Sequence, residues 1–192
     1  MTSLFTERLE LLPLNSKQLR LCLERPDQLE IELGLPLSRA MITDRVRRAI
    51  QMKLIKMENV EEPKLPWLTY WLIIIREIPL GAGLVGFKGF PDPHGEVEIG
   101  YGIDPAQQRQ GYTTEAVKRM IQWAFEEQAC FSIVAIGVNR LNVASQHVLT
   151  KAGMIVVEES EESLSYRIKR EEISRSWSSD KPAQPALAAG PR

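Results

Sequence analysis

The chain carries little of what marks several protein classes at first sight. It has two cysteines in 192 residues, Cys22 and Cys130. That is too few for a disulfide-stapled secreted scaffold; two free thiols in a reducing compartment are expected, with a single disulfide as the alternative. Neither sign of charge is in excess, since 24 basic residues face 25 acidic ones for a net charge of −1. Binders of nucleic acid or anionic membrane carry a basic surplus, so neither partner is expected. No apolar run reaches the ~20 residues that a membrane span needs. The opening MTSLFTERLELLPL lacks a basic stretch followed by an apolar one, so no secretory signal is expected and a cytoplasmic location is. No metal is expected.

What is present is ordinary for a globular protein: 44% apolar and 26% charged residues. The length suits one domain, residues 1–170, with a sizeable core. Beyond Arg170 the chain is charged and then rich in Ser, Pro and Ala, with Pro182, Pro185, Gly190 and Pro191, so residues 171–192 are expected to form a mobile tail.

In chain order, Glu7–Leu14 alternates as an opening strand that Pro13 and Asn15 stop. Ser16 is placed to cap a short helix with Leu19, Cys22 and Leu23 on one face, and Pro26 ends it. Thr43 or Asp44 caps a stronger helix, on which Val46, Ala49, Ile50, Lys53, Leu54 and Met57 recur at helical spacing. Arg45, Arg47 and Arg48 fall elsewhere on that helix and read as a solvated face, with substrate steering as the alternative. Trp67–Arg76 is rich in strand formers, and a turn at Glu77-Ile78-Pro79 leads into Leu80–Phe90. Pro91-Asp92-Pro93-His94-Gly95 is a dense turn signal, so the next strand returns as a hairpin and His94 reads as a turn residue.

Gly81-Ala82-Gly83-Leu84-Val85-Gly86 matches G-x-G-x-x-G, the dinucleotide fingerprint. That fingerprint needs a helix to begin at the loop. Here the chain continues as Phe87-Lys88-Gly89-Phe90-Pro91, which no helix tolerates. Strand glycines mark a bulge or a close backbone approach instead.

The chain is organised around Tyr101–Lys118, YGIDPAQQRQGYTTEAVK. An apolar run, Val97 to Ile103, ends at Asp104-Pro105; a glutamine-rich loop follows, and a helical pattern starts at Gly111. Strand, glycine-bearing loop and helix start together aim backbone N–H groups and the positive end of a helix dipole at one point, which suits a phosphate. The stripe Ala116, Val117, Met120, Ile121, Ala124 and Phe125 continues the helix. Phe131–Val138 is a nearly continuous apolar run, as in a strand buried on both faces. Asn142 caps a further helix with Ala144, Val148 and Ala152 inward, and Gly153 suits its end. Ile155–Ser160 and Leu164–Lys169 close with two strands.

Gln108-x-x-Gly111-x-Thr113 resembles the pyrophosphate loop of the GNAT family of N-acetyltransferases, Q/R-x-x-G-x-G/A, with Thr113 where Gly or Ala is usual. Glu96–Ile103 is similar to that family's fourth strand. NVASQHVLTKAGM, Asn142–Met154, resembles its N-x-x-S/A…K-x-G-F element, with Met154 where Phe is usual. The similarity covers about Leu80 to Lys169, and the opening TERLELLPL resembles the subgroup that includes ribosomal-protein N-terminal acetyltransferases.

The resemblance implies an α/β fold: a mixed, twisted central sheet of about six to seven strands with helices on both faces, the fourth and fifth strands splayed apart. It implies acetyl-CoA as co-substrate. Its pantetheine arm would lie along the strand 97–103 through Ile99, Tyr101 and Ile103, with its pyrophosphate at Gln108, Arg109, Gln110, Gly111, Tyr112, Thr113 and Thr114. Asn142 and Ser145 would flank the arm. The implied reaction is direct attack of an amine on the thioester in a ternary complex, the acceptor being a peptide N-terminus or small amino compound. An aminoglycoside is the alternative acceptor, and a non-catalytic acyl-CoA-binding module the alternative function. Glu98 stands where several relatives carry a catalytic glutamate; a surface hairpin carboxylate is the plainer reading, and more so for Glu96. Many relatives place a proton-donating tyrosine four residues before the helix-ending glycine. That position here is Leu149, so Ser145 is the candidate acid, with Tyr101 as a further possibility. Monomer and homodimer are both compatible with the chain.

Overall fold

A computed structural model describes residues 2–173, so nearly all of the expected tail at 171–192 lies outside the described residues. Eight strands form one sheet in the spatial order β1-β2-β3-β4-β5-β6-β8-β7. They are β1 (Leu4–Phe5), β2 (Leu9–Pro13), β3 (Trp71–Ile75), β4 (Leu80–Phe87), β5 (Glu96–Ile103), β6 (Ser132–Asn139), β7 (Ile155–Glu159) and β8 (Ser163–Lys169). The strand beyond the expected seven is β1, a two-residue edge ribbon on β2. Every neighbouring pair is antiparallel except β5 and β6, which run parallel.

Six α-helices cover the two faces: α1 (Ser16–Glu24), α2 (Pro26–Leu33), α3 (Asp44–Lys56), α4 (Leu65–Leu68), α5 (Tyr112–Glu126) and α6 (Val143–Lys151). Two hydrophobic clusters result. One joins α5 and α6 to the sheet through Val117, Met120, Ile121, Leu149 and Ile133; the other joins α1, α2 and α3 to it through Leu19, Leu29, Ile50 and Leu72. Cys22 lies in the second cluster and Cys130 in the first, and both are free thiols. Among the described residues no helix is long and apolar enough to cross a membrane.

Local chemistry explains the departures from the sequence-based expectations. The cap of α1 is Asn15, not Ser16: Asn15 accepts from the Gln18 N–H while the Gln18 side chain accepts from the Asn15 N–H, a reciprocal capping box. Pro26 stops α1 and also opens α2, where its missing N–H has no intrahelical partner to lose. Trp67 and Leu68 belong to the helical turn α4, which Pro66 opens, so the strand begins only at Trp71. The glycines of β4 mark close approach. A Cβ at Gly83 would lie 2.5 Å from the Gly102 carbonyl oxygen and one at Gly86 2.7 Å from that of Thr69, so no side chain fits at either position. The strand β6 is buried only in its first half; Ile136 is 57% exposed.

Lys53 is the one buried charged residue among the described residues, at 6% exposure. Its ammonium donates to the carbonyls of Leu68 (3.1 Å) and Phe87 (2.6 Å) and sits 4.5 Å from the ring centre of Tyr70. These contacts tie α3 to the end of β4. Burial, with the nearby Lys56 charge adding, pushes Lys53 from the ordinary lysine value of 10.5 down to about 7. The folded pKa lies below the unfolded one, so between these values the unfolded chain binds more protons and stability rises with pH. Denaturant titrations of Lys53→Met and wild type at pH 7, 8 and 9 should show the variant's relative stability falling steadily as the wild type gains. A pH-independent difference would refute the assignment.

Candidate active site

The site begins where two strands stop pairing. The parallel ladder between β5 and β6 runs through Glu96–Ser132, Val97–Ile133 and Glu98–Val134, and ends there. From Ile99 to Ile103, β5 is held on its other edge by β4, from Phe87–Ile99 to Gly83–Ile103. The strand β6 is irregular in its pairing with β8 between Ala135 and Val138, with Gly137 at φ +66°. The two strands therefore open a V, as the resemblance implies for its fourth and fifth strands.

Beyond β5 the chain turns at Asp104, whose carboxylate accepts from the Ala106 N–H (2.8 Å) and the Ser38 hydroxyl (2.6 Å). Arg109 and Gly111 both have positive φ, +62° and +84°, which aims the loop into the first turn of α5. No side chain caps α5, leaving the N–H groups of Tyr112, Thr113 and Thr114 directed out of its N-terminus. Residues from the start of the chain hold the loop from behind. Arg8 donates to Glu115 (2.7 Å) and to the Gln110 carbonyl (2.9 Å), and its guanidinium lies 4.7 Å from the Tyr112 ring centre. The Thr6 hydroxyl and the Arg8 N–H also reach Glu115, at 2.6 and 3.0 Å. Burial alone would push the Glu115 carboxyl up; Thr6 and both donors of Arg8 outweigh it and hold it below the usual carboxylate range.

A cavity of about 500 Å³ joins the V to this loop. The structure gathers around it Tyr101, Ile103, Gln108, Arg109, Gly111, Tyr112, Thr113, Thr114, Asn142 and Ser145, residues 44 positions apart at the extremes, singled out in sequence for one ligand. Ile99 and Gln110 are not on its wall: Ile99, 3% exposed, lines instead the neighbouring cavity, and Gln110 turns its side chain to Gln107. Sequence reasoning missed Gly102, Gln107, Ala144, His147, Val148 and Lys151, which complete the wall. The signal was there for α6, since Ala144, Val148 and Lys151 repeat at helical spacing. Arg109 and Lys151 give this end of the cavity positive charge.

A second cavity, about 470 Å³, shares Tyr101, Gly102, Ile103, Gln108, Asn142 and Ser145 with the first. Its remaining wall includes Arg45, Val46 and Ala49 of α3, with Tyr70, Lys88 and Glu98. The Glu98 carboxylate, 20% exposed, is ion-paired to Lys88 and lies 3.4 Å from the Ile136 N–H. Glu96 does different work, bridging Ser132 (3.0 Å) and Arg167 (3.1 Å) across the strands. On the wall common to both cavities the Tyr101 and Ser145 hydroxyls hydrogen-bond at 2.8 Å. Burial pushes Tyr101 up to about 12, with Tyr166 adding and Ser145 opposing, so the phenol keeps its proton. Asn142 caps α6 by accepting from the Ser145 N–H (3.1 Å). Leu149 is fully buried and faces neither cavity, and His94 sits in its turn with its N–H on Asp92.

A splayed β5–β6 pair ending at an uncapped, glycine-led helix defines the acyl-CoA class of fold, and residues 8–155 match the family described as the acetyltransferase (GNAT) domain. The chain belongs to the GNAT family. It is 34% identical over 92 residues to the uncharacterized N-acetyltransferase YjdG of Bacillus subtilis (strain 168), a match covering 48% of this chain and 54% of YjdG. The chain spans about half the length of the curated relatives it matches. Among solved structures, the ribosomal-protein-S5-alanine acetyltransferase from Vibrio fischeri superposes with a TM-score of 0.61 at 18% identity, covering 90% of this chain and 98% of that one. RimL, a ribosomal L7/L12 alpha-N-protein acetyltransferase solved with coenzyme A, superposes at 0.58 and 14% identity over 85% of this chain and 95% of that one. These two similarities establish the fold.

The loop geometry makes a specific demand on Gly111. A Cβ there would lie 3.2 Å from the Arg8 guanidinium, in a backbone conformation that a β-branched residue strongly disfavours. Gly111→Val should weaken coenzyme A binding about tenfold or more by calorimetry while circular dichroism shows an intact fold. Unchanged affinity in a folded variant would dissociate the loop from the ligand.

Proposed function

We propose that the protein transfers an acetyl group from acetyl-CoA to a primary α-amine, on a peptide N-terminus or a small amino compound, by direct attack within a ternary complex. The observation that carries this reading is the pair of cavities sharing one wall at the V. One runs to the uncapped start of α5, the other to Glu98.

Acetyl-CoA supplies an activated acyl thioester; the C–S bond breaks as the amide bond forms. The residues present fit it. The N–H groups at the start of α5, with Arg109 and Lys151 on the same wall, suit the pyrophosphate, and the edge of β5 that β6 leaves free suits the amides of the arm. Backbone N–H groups on that edge are the candidates to steady developing negative charge on the acyl oxygen. Glu98 takes the amine's proton, directly or through water, from the second cavity. Tyr101, still protonated at neutral pH and coupled to Ser145, returns a proton to the departing thiolate. The pair does the work for which Leu149, turned into the core, has no group.

Making a neutral amine at pH 7 costs about 1 kcal/mol for an α-amine of pKa near 8 and about 4–5 kcal/mol for a lysine near 10.4. A single candidate carboxylate, already engaged by Lys88, favours the smaller task. In competition between a peptide with a free N-terminus and an N-terminally blocked peptide containing lysine, mass spectrometry should find acetyl on the first. Preference for the blocked peptide would sink the α-amine assignment. Removal of a positioned base typically costs ~10²–10⁴ in rate. Glu98→Gln should accordingly slow turnover at pH 7 on that scale with little change in acetyl-CoA affinity, recovering in part at high pH. Wild-type turnover would remove Glu98 from this role, and Glu96→Gln is the mild control.

A further inference from the structure

The second cavity has a charge pattern that says something about what it accepts. Two of its charged groups cancel, because Lys88 and Glu98 form an ion pair. The third, Arg45, is on the α3 side of the cavity and is not among the ion-paired or hydrogen-bonded side chains of the described residues. Several other arginines are engaged. Arg47 donates to the Leu23 carbonyl, Arg39 pairs with Asp27 and Glu30, and Arg8 pairs with Glu115. The field of Arg45 also reaches the cavity wall itself, where it partly offsets the rise that burial imposes on the Tyr70 hydroxyl. Beside it the wall carries the apolar side chains of Met41, Val46, Ala49 and Leu84.

A pocket of mixed polarity, with one guanidinium free of any protein partner among the described residues, discriminates by charge. A guanidinium presents a planar fork of donors that matches a carboxylate, and charge-assisted bonds of this kind are about twice as strong as neutral ones. The same cation penalises a second positive charge entering beside it. It therefore disfavours polycationic acceptors and also an acceptor amine arriving protonated.

We infer that Arg45 is a specificity-determining residue that selects acceptors bearing a carboxylate close to the reacting α-amine. This rests on the transferase reading above and narrows its substrate class. The shared chemistry, amine plus nearby carboxylate, has two sources: a free amino acid with its own α-carboxylate, or a peptide whose first side chain is acidic.

Steady-state assays on the full chain with acetyl-CoA separate them. One arm compares C-terminally amidated peptides that differ only in Asp, Asn or Lys at the first position. The other compares a free amino acid with its amide. In at least one arm the carboxylate form should have kcat/KM at least tenfold above its isosteric amide, through KM more than kcat. In Arg45→Gln that ratio should fall to within about twofold, with KM for acetyl-CoA unchanged. In Arg45→Glu the lysine-first peptide should overtake the aspartate-first one. Arg45 is exposed, and melting curves within a few degrees of wild type confirm that both variants fold. Equal kcat/KM for acid and amide in both arms, or a preference that survives Arg45→Gln, overturns this inference and leaves the transferase reading standing. Binding of coenzyme A with no transfer to any of these amines overturns the transferase reading and this inference with it.

Discussion

A parallel strand pair that stops pairing in the middle of a sheet is the constraint on which the rest of this structure depends. Backbone N–H and C=O groups are obligatory hydrogen-bonding groups, and a row of them left without a partner inside a protein is costly. Here β5 keeps its full ladder with β4 and surrenders only the edge facing β6 beyond Glu98. The vacated edge opens on two cavities rather than on apolar side chains, so ligand or water has access to those groups. Everything nearby serves to keep the strands apart: the irregular stretch of β6, the Asn142-capped helix that rises from its end, and the loop that swings from β5 into α5.

The split also decides where charge can sit. On the α5 side the open space ends at helix N–H groups, Arg109 and Lys151. On the α3 side it contains a carboxylate and two cations, one of them bound to that carboxylate. Between them stands a tyrosine whose hydroxyl is locked to a serine on the facing helix. A two-substrate reaction needs this kind of partition, in which each component finds its own electrostatic environment and the reacting atoms meet at a common wall.

Much of this was legible in the sequence wherever the signal is local. Gly111 before a helical stripe, Asn142 three residues before Ser145 and the alternation of Glu98 with Val97 and Ile99 are short-range patterns with a fixed geometric meaning. In the structure Gly111, Asn142 and Ser145 line one cavity and Glu98 lines the second, which shares a wall with it. What escaped was tertiary. Nothing local says that Lys53, in register with apolar neighbours, is buried as an amine on two carbonyls, or that Thr6 and Arg8 reach Glu115. The run Phe131–Val138 misled because apolar content reports what a strand could bury, whereas Ile136 is exposed by the departure of β6 from its neighbour. Leu149, at the position where relatives carry a donor, is a core residue, and the hydroxyls on the wall shared by the two cavities are those of Tyr101 and Ser145.

The clasp of Arg8 on Glu115 has a temporal side. The two residues are 107 positions apart, so this contact closes one of the longest loops in the domain. Contacts of such separation carry the larger loop-closure entropy, and they are made only when the intervening chain is largely organised. The strand that follows Arg8 can pair with β3 before α5 is made, yet Arg8 has no partner at the loop until the helix that bears Glu115 has been synthesised and laid on the sheet. The loop at Gly111 thus acquires its final shape among the last events of folding. A chain that has collapsed but not yet seated Arg8 would lack the brace that holds the Gly111 loop from behind.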